Sequence, residues 1–211
     1  IDDQGYIYAG GSAGDQFQGE AGGSGSENAM RIKLDPATGL PLWARLYPSQ
    51  MYSFVLGIYQ MAGGDLAVYG DSWGDVAGQT APGQADNFVS VVTTDGTVLQ
   101  TLLFGGSNTE YSESACYDGT HLYVAGHSDN NWGLYSPMGG TDFTVVKVNP
   151  YSGPIGVIGT GSSDDDAAAG CAFHTDGRLF VTGRTEGSLD TWPAPVAPYQ
   201  TNMALLLLPN P

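Results

Sequence analysis

The amino-acid sequence predicts an all-β fold, built as a β-propeller of about four tandem blades, each of roughly 57 residues and four short strands. Three observations predict it. Short alternating segments lead into Gly10, Gly70, Gly126 and Gly183, spaced by 60, 56 and 57 residues, and each glycine has Ser or Thr two residues later. A second apolar segment opens on an Asn or Asp that follows the glycine by 18, 17, 16 and 19 residues: Asn28, Asn87, Asp142 and Asn202. The turn formers Gly (32) and Asp (17, against 5 Glu) are abundant while no 3.6-residue period occurs, so the chain reads as many strands joined by tight turns.

Each repeat yields the same elements in order. Strands over 6–9, 66–69, 122–125 and 179–182 run up to the glycines, which are expected to close them. A variable loop follows, and the Asx residue caps the corner into a second strand over 29–34, 88–93, 143–148 and 203–208. Turns such as Asp35-Pro36-Ala37-Thr38-Gly39 and Thr94-Asp95-Gly96 lead to third strands over 42–47, 98–104 and 155–158. Fourth strands over 53–60, 114–117 and 168–173 return to the next repeat, giving units of about 1–52, 53–113, 114–167 and 168–211 within one domain. Only 9 residues precede Gly10 and 9 follow Asn202, so two strands are lacking. The propeller is therefore expected to be partial or open, with other protein subunits or the remaining blades of a larger chain as partners.

Composition narrows the function. With 41% hydrophobic residues the chain can bury a core, and its net charge is −16 with six basic residues. Six cations make no phosphate-binding footprint, which argues against nucleic acid and anionic membranes. No apolar run is long enough for a membrane span; the longest, 204–208, is strand-sized. Cys116 and Cys171 have no zinc-ligand spacing and are expected as two small buried hydrophobes, with a disulfide as the alternative.

Leu179 to Gly183, Tyr199-Gln200, Lys33-Leu34-Asp35-Pro36, Lys147-Val148-Asn149-Pro150 and Gly105-Gly106-Ser107 fall in a consistent order along essentially the whole chain. This pattern resembles the bacterial "seven-bladed" β-propeller repeat family, in which a Tyr-Val-x-Gly strand, a Pro-rich loop ending in Tyr-Gln and a Lys-Leu-Asp/Asn-Pro run follow one another. The resemblance implies a secreted or surface-exposed propeller, usually one module of a larger protein and usually without a known activity. The second unit departs from it by lacking the Lys-Leu-Asp-Pro run, and the fourth stops before its third strand.

Candidate sites are few. Trp73, Trp132, Tyr135 and Trp192 lie in the loops after the first strands, where aromatic side chains beside Asp and Asn suit glycan or protein binding. Asp164-Asp165-Asp166 offers carboxylates for a Ca²⁺ ion, though consecutive residues cannot all face one ion and a solvated turn is the simpler expectation. His127-Ser128-Asp129 places the residue types of a hydrolytic triad side by side, which neighbouring loop residues do not assemble, and no GxSxG elbow occurs. Trp43 follows a quinoprotein-like Leu34-to-Trp43 run that is not repeated. The expectation is a non-enzymatic extracellular scaffold or interaction module, such as part of a surface or filament assembly, with a carbohydrate-binding or carbohydrate-active propeller as the alternative.

Overall fold

The computed structural model describes residues 1–129, 131, 136–174 and 176–188, and the backbone of 202–208. All regular structure among them is strand, arranged in small antiparallel sheets within two compact units, Ile1–Gly105 and Gly106–Pro211. No helix among the described residues is long and apolar enough to cross a membrane.

Unit 1 holds two sheets. β1 (Ile7–Ala13), β4 (Asn28–Leu34) and β5 (Pro41–Leu46) form the first, in the order β1-β4-β5, with a two-stranded hairpin of β2 (Gln16–Phe17) and β3 (Glu20–Ala21) in the intervening loop. The second is a meander of β6 (Tyr52–Gln60), β7 (Leu66–Trp73), β8 (Asp86–Val92) and β9 (Val98–Phe104). Unit 2 repeats this plan. Its first sheet is β10 (Glu110–Tyr117), β11 (Leu122–Ser128), β12 (Asp142–Asn149) and β13 (Gly153–Thr160); its second is β14 (Asp166–Phe173), β15 (Leu179–Thr185) and β16 (Asn202–Leu208). In each unit the leading strand of the second sheet, β6 or β14, lies against the first sheet. The middle strands β7, β8, β11 and β12 are buried along most of their length, which is why they read as Val/Ala/Leu runs rather than strict alternation.

The repeated glycines do not close their strands. Each strand continues past its glycine, by two or three residues, to Ala13, Trp73, Ser128 and Thr185. The reason lies across the ladder. The leading strands carry β-bulges at Leu56, Glu113 and Ala169, the residues skipped in the registers Val55/Gly57, Ser112/Ser114 and Ala168/Gly170. The bulge tips a carbonyl of the leading strand over the neighbouring glycine. A Cβ on Gly70, Gly126 or Gly183 would overlap the carbonyl oxygen of Phe54, Tyr111 or Ala167 respectively. Only glycine fits opposite a bulge of this kind.

Outer strands carry a second set of bulges, at Leu42, Leu99 and Ile155. These side chains are about half exposed, and the bulges twist the free edges out of the flat geometry that invites further strand pairing.

The unit 1 core gathers Tyr47, Val55, Leu66, Val68, Phe88 and Val92 between its sheets. Three long side chains of the first sheet also reach the β8–β9 turn of the second. Arg31 Nη2 donates to the Gly96 carbonyl at 3.1 Å, while Lys33 Nζ and Trp43 Nε1 donate to the Thr94 carbonyl at 3.3 and 3.2 Å. The Arg31 guanidinium is buried over the Tyr47 ring, 4.1 Å from its centroid, and burial lowers its pKa. In unit 2, Tyr123, Phe143, Val145, Leu179 and Val181 form the core, with Phe173 against Tyr123. Here the expectation of two unlinked cysteines is corrected: Cys116 on β10 and Cys171 on β14 form a disulfide, with Cα atoms 5.8 Å apart. Stacking the two leading strands brings together residues 55 positions apart in sequence.

Candidate functional site

Most of the conspicuous polar residues at the sheet ends brace loops. Asn28 Oδ1 accepts the N–H groups of Gly23 and Ser49 at 2.8 and 3.0 Å, and Asp142 Oδ2 accepts the Met138 N–H at 2.7 Å, so both cap the corner into a strand as expected. In the second sheet this role belongs to Asp86, one residue before the expected Asn87: Asp86 Oδ2 accepts the Gly83 N–H at 3.0 Å, and Asn87 instead donates to Asp71 Oδ1. Asn202 opens β16. The leading strands use the same device. Glu110 Oε2 accepts the Gly106 N–H at 2.6 Å and Asp166 Oδ2 the Ser162 N–H at 2.5 Å.

The acidic run therefore splits up. Asp166 is fully buried rather than solvated, Asp165 Oδ1 accepts the Thr141 N–H at 2.9 Å, and the Asp164 N–H donates to Ser162 Oγ. Asp164 and Asp166 both bond Ser162 while Asp165 bonds Thr141, and no group of three metal-ligating side chains gathers among the described residues. Of the aromatic candidates, Trp73 ends β7 half-buried, edge-on to Phe54 with ring centroids 5.8 Å apart, across the ladder from the exposed Tyr52. Trp132, Tyr135 and Trp192 lie outside the described residues.

Two turn locks recur. Asp2 Oδ1 accepts the N–H groups of Gln4 and Tyr6, and Asp2 Oδ2 accepts the Tyr8 hydroxyl at 2.9 Å. Asp118 likewise accepts the N–H groups of Thr120 and His121 and, at 2.8 Å, the Tyr123 hydroxyl. Burial alone would raise both carboxyl pKa values; these hydrogen bonds outweigh it and hold both below the usual aspartate range.

One place in unit 2 is built differently. A cavity of about 380 Å³ is lined by Glu113, three consecutive alanines (Ala167, Ala168, Ala169), Gly183 and Arg184. Glu113 is the bulge residue of β10, and Arg184 follows the repeated glycine on β15. His127, which follows the repeated glycine on β11, stands beside them: its Nδ1 is 3.9 Å from Glu113 Oε1 and its ring packs on Tyr111, centroids 5.1 Å apart. Burial lowers the His127 pKa, and Arg184 lowers it further, against the opposing pull of Glu113, Asp165 and Asp129. His127 does not meet Ser128 in a triad, because Ser128 Oγ donates to the buried Glu110 at 3.1 Å. Sequence reasoning did not bring Glu113 and Arg184 together in one site. A signal existed: the residue after each repeated glycine is Gly11, Asp71, His127 and Arg184, so in three of the four repeats a framework position carries a polar side chain of changing type.

No protein-family model matches the chain, and no curated protein sequence matches it.

Proposed function

We propose that the chain is a run of propeller-type blades acting as a non-enzymatic extracellular interaction module, completed by strand addition at β1. One observation carries this reading. Asp2 N–H donates to the Tyr6 carbonyl at 3.0 Å and Gly5 N–H to the Asp2 carbonyl at 2.9 Å, closing a hairpin turn ahead of β1. The turns Met61–Asp65 and His174–Arg178 have the same bonds and the same left-handed glycine, Gly64 or Gly177, before β7 and β15. Those turns join β7 and β15 to the bulged leading strands β6 and β14. β1 has the turn and the glycine, yet among the described residues it is an edge with no strand on its outer side. A bulged strand entering at Ile1 is the partner this edge fits, whether from further blades or another subunit. The disulfide supports an oxidising, extracellular setting.

The test is an extended chain carrying a copy of residues 52–59 ahead of Ile1. The added strand is expected to protect the β1 amides from hydrogen exchange and to raise the unit 1 transition by about 4–8 °C, the shift that roughly 1 kcal/mol gives a unit of this size. β1 amides that exchange as fast as in the parent chain would overturn the reading.

A further inference from the structure

We propose that the unit 2 cavity binds a small zwitterion, a free α-amino acid, with Arg184 taking its carboxylate, Glu113 its ammonium group and the alanine floor its side chain. The assignment rests on the chemistry that converges there. At about 380 Å³ the cavity is at the small end of ligand pockets. Its wall holds one cation and one anion, both exposed. Neither is consumed by the other: Glu113 has the His127 ring 3.9 Å away, held toward its neutral form by burial, and Arg184 makes no ion pair among the described residues.

Charge decides the class of ligand. A simple anion has to approach a chain of net charge −16 and then meet Glu113; a simple cation meets Arg184. A ligand carrying both charges satisfies both walls, and a guanidinium gives a carboxylate two parallel hydrogen bonds. The floor of alanines and glycine leaves room for a side chain and adds no charge.

The repeats supply an internal control. The bulge position holds Leu56 and Ala169 in the other sheets, so the fold does not require a carboxylate there. A bulge re-aims the side chain it carries, and in β10 alone that side chain is acidic. His127 stands beside Glu113, with Arg184, Tyr111, Asp129 and Asp165 around its ring.

The experiment is an NMR titration of the full chain with each proteinogenic amino acid, with acetate and methylammonium as half-ligand probes. At least one amino acid is expected to shift the Ala168 and Gly183 amides saturably, with a Kd of about 1 mM or tighter. Each half-ligand is expected to bind about 10-fold or more weakly, and Glu113→Gln and Arg184→Gln are each expected to weaken the amino acid by about 10-fold or more. Both side chains are exposed, so near-UV circular dichroism of the variants should match the parent. The proposal is overturned by any of three results: no amino acid shifts these amides, acetate alone binds as tightly, or both variants bind as the parent does.

Discussion

The two units share one plan and join their sheets differently. In unit 2 both sheets have a leading strand, β10 and β14, and a disulfide links the two. In unit 1 the first sheet runs β1-β4-β5 among the described residues, and β6 (Tyr52–Gln60) carries no cysteine. There the sheets are held from the other end, by Arg31, Lys33 and Trp43 reaching the carbonyls of the β8–β9 turn. The two units thus fasten their sheets differently, by a disulfide between leading strands in unit 2 and by polar side chains on a turn in unit 1.

The largest test of this contrast removes the disulfide. Closing a loop of 55 residues restricts the unfolded chain enough to stabilise the fold by about 3–4 kcal/mol. Cys116→Ala with Cys171→Ala is expected to cost unit 2 about that much, read as faster hydrogen exchange in β10 and β14, with β6 unchanged. Equal loss of protection in β6 would mean that the bond is not what distinguishes the units.

The strand plan was legible because it is local. Alternation, turn residues and the repeat located each expected strand and fitted some closely, as with β9 at Val98–Phe104, but stopped the strands through the repeated glycines three or four residues short, as at β7 (Leu66–Trp73), and began β10 (Glu110–Tyr117) four residues late. What escaped were facts of register. The glycine repeat was visible, but its cause, a bulge one strand away, is a cross-strand relation that no local pattern encodes. The disulfide escaped for a related reason. Counted from the bulges, Cys171 stands where β10 has Ala115, so Cys116 and Cys171 are not repeat equivalents and the period does not pair them. The cavity was hidden because Glu113, His127 and Arg184 come from three strands of two sheets. The carboxylates at the sheet ends stood out in sequence, yet most of them hold loops.

A second test uses the repeated glycines. Gly70→Ala and Gly126→Ala each set a methyl group on a backbone carbonyl that cannot move aside, and each is expected to cost about 2–3 kcal/mol by chemical denaturation. Gly10→Ala meets the side chain of Val55 first, with the Val55 carbonyl farther off at 3.3 Å, and is expected to cost about 1 kcal/mol, the lower end of overpacking penalties. Adding a leading strand ahead of Ile1 should raise the Gly10→Ala cost toward that of its equivalents. A Gly10→Ala penalty already equal to that of Gly126→Ala would break the link between these glycines and the bulged strand.

The smallest test concerns the turn locks, which the units share. Tyr8→Phe and Tyr123→Phe each remove one hydroxyl donor from a carboxylate, a loss of about 1 kcal/mol at neutral pH. Each aspartate keeps a second support, Lys33 Nζ 3.9 Å from Asp2 and His121 Nδ1 3.4 Å from Asp118, so the two changes should cost about the same. Both aspartates have pKa values lowered by folding. The stability they contribute is therefore complete above the unfolded value of about 3.9 and is lost as pH falls through the folded value. Each tyrosine variant moves its aspartate back toward the ordinary value, which carbon-13 titration of the carboxyl groups would register. The stability difference from the parent should shrink once pH drops below both folded values, because a protonated carboxyl no longer rewards the hydroxyl as a charged one does. A difference that persists unchanged in acid would assign the tyrosines a packing role alone, in both units.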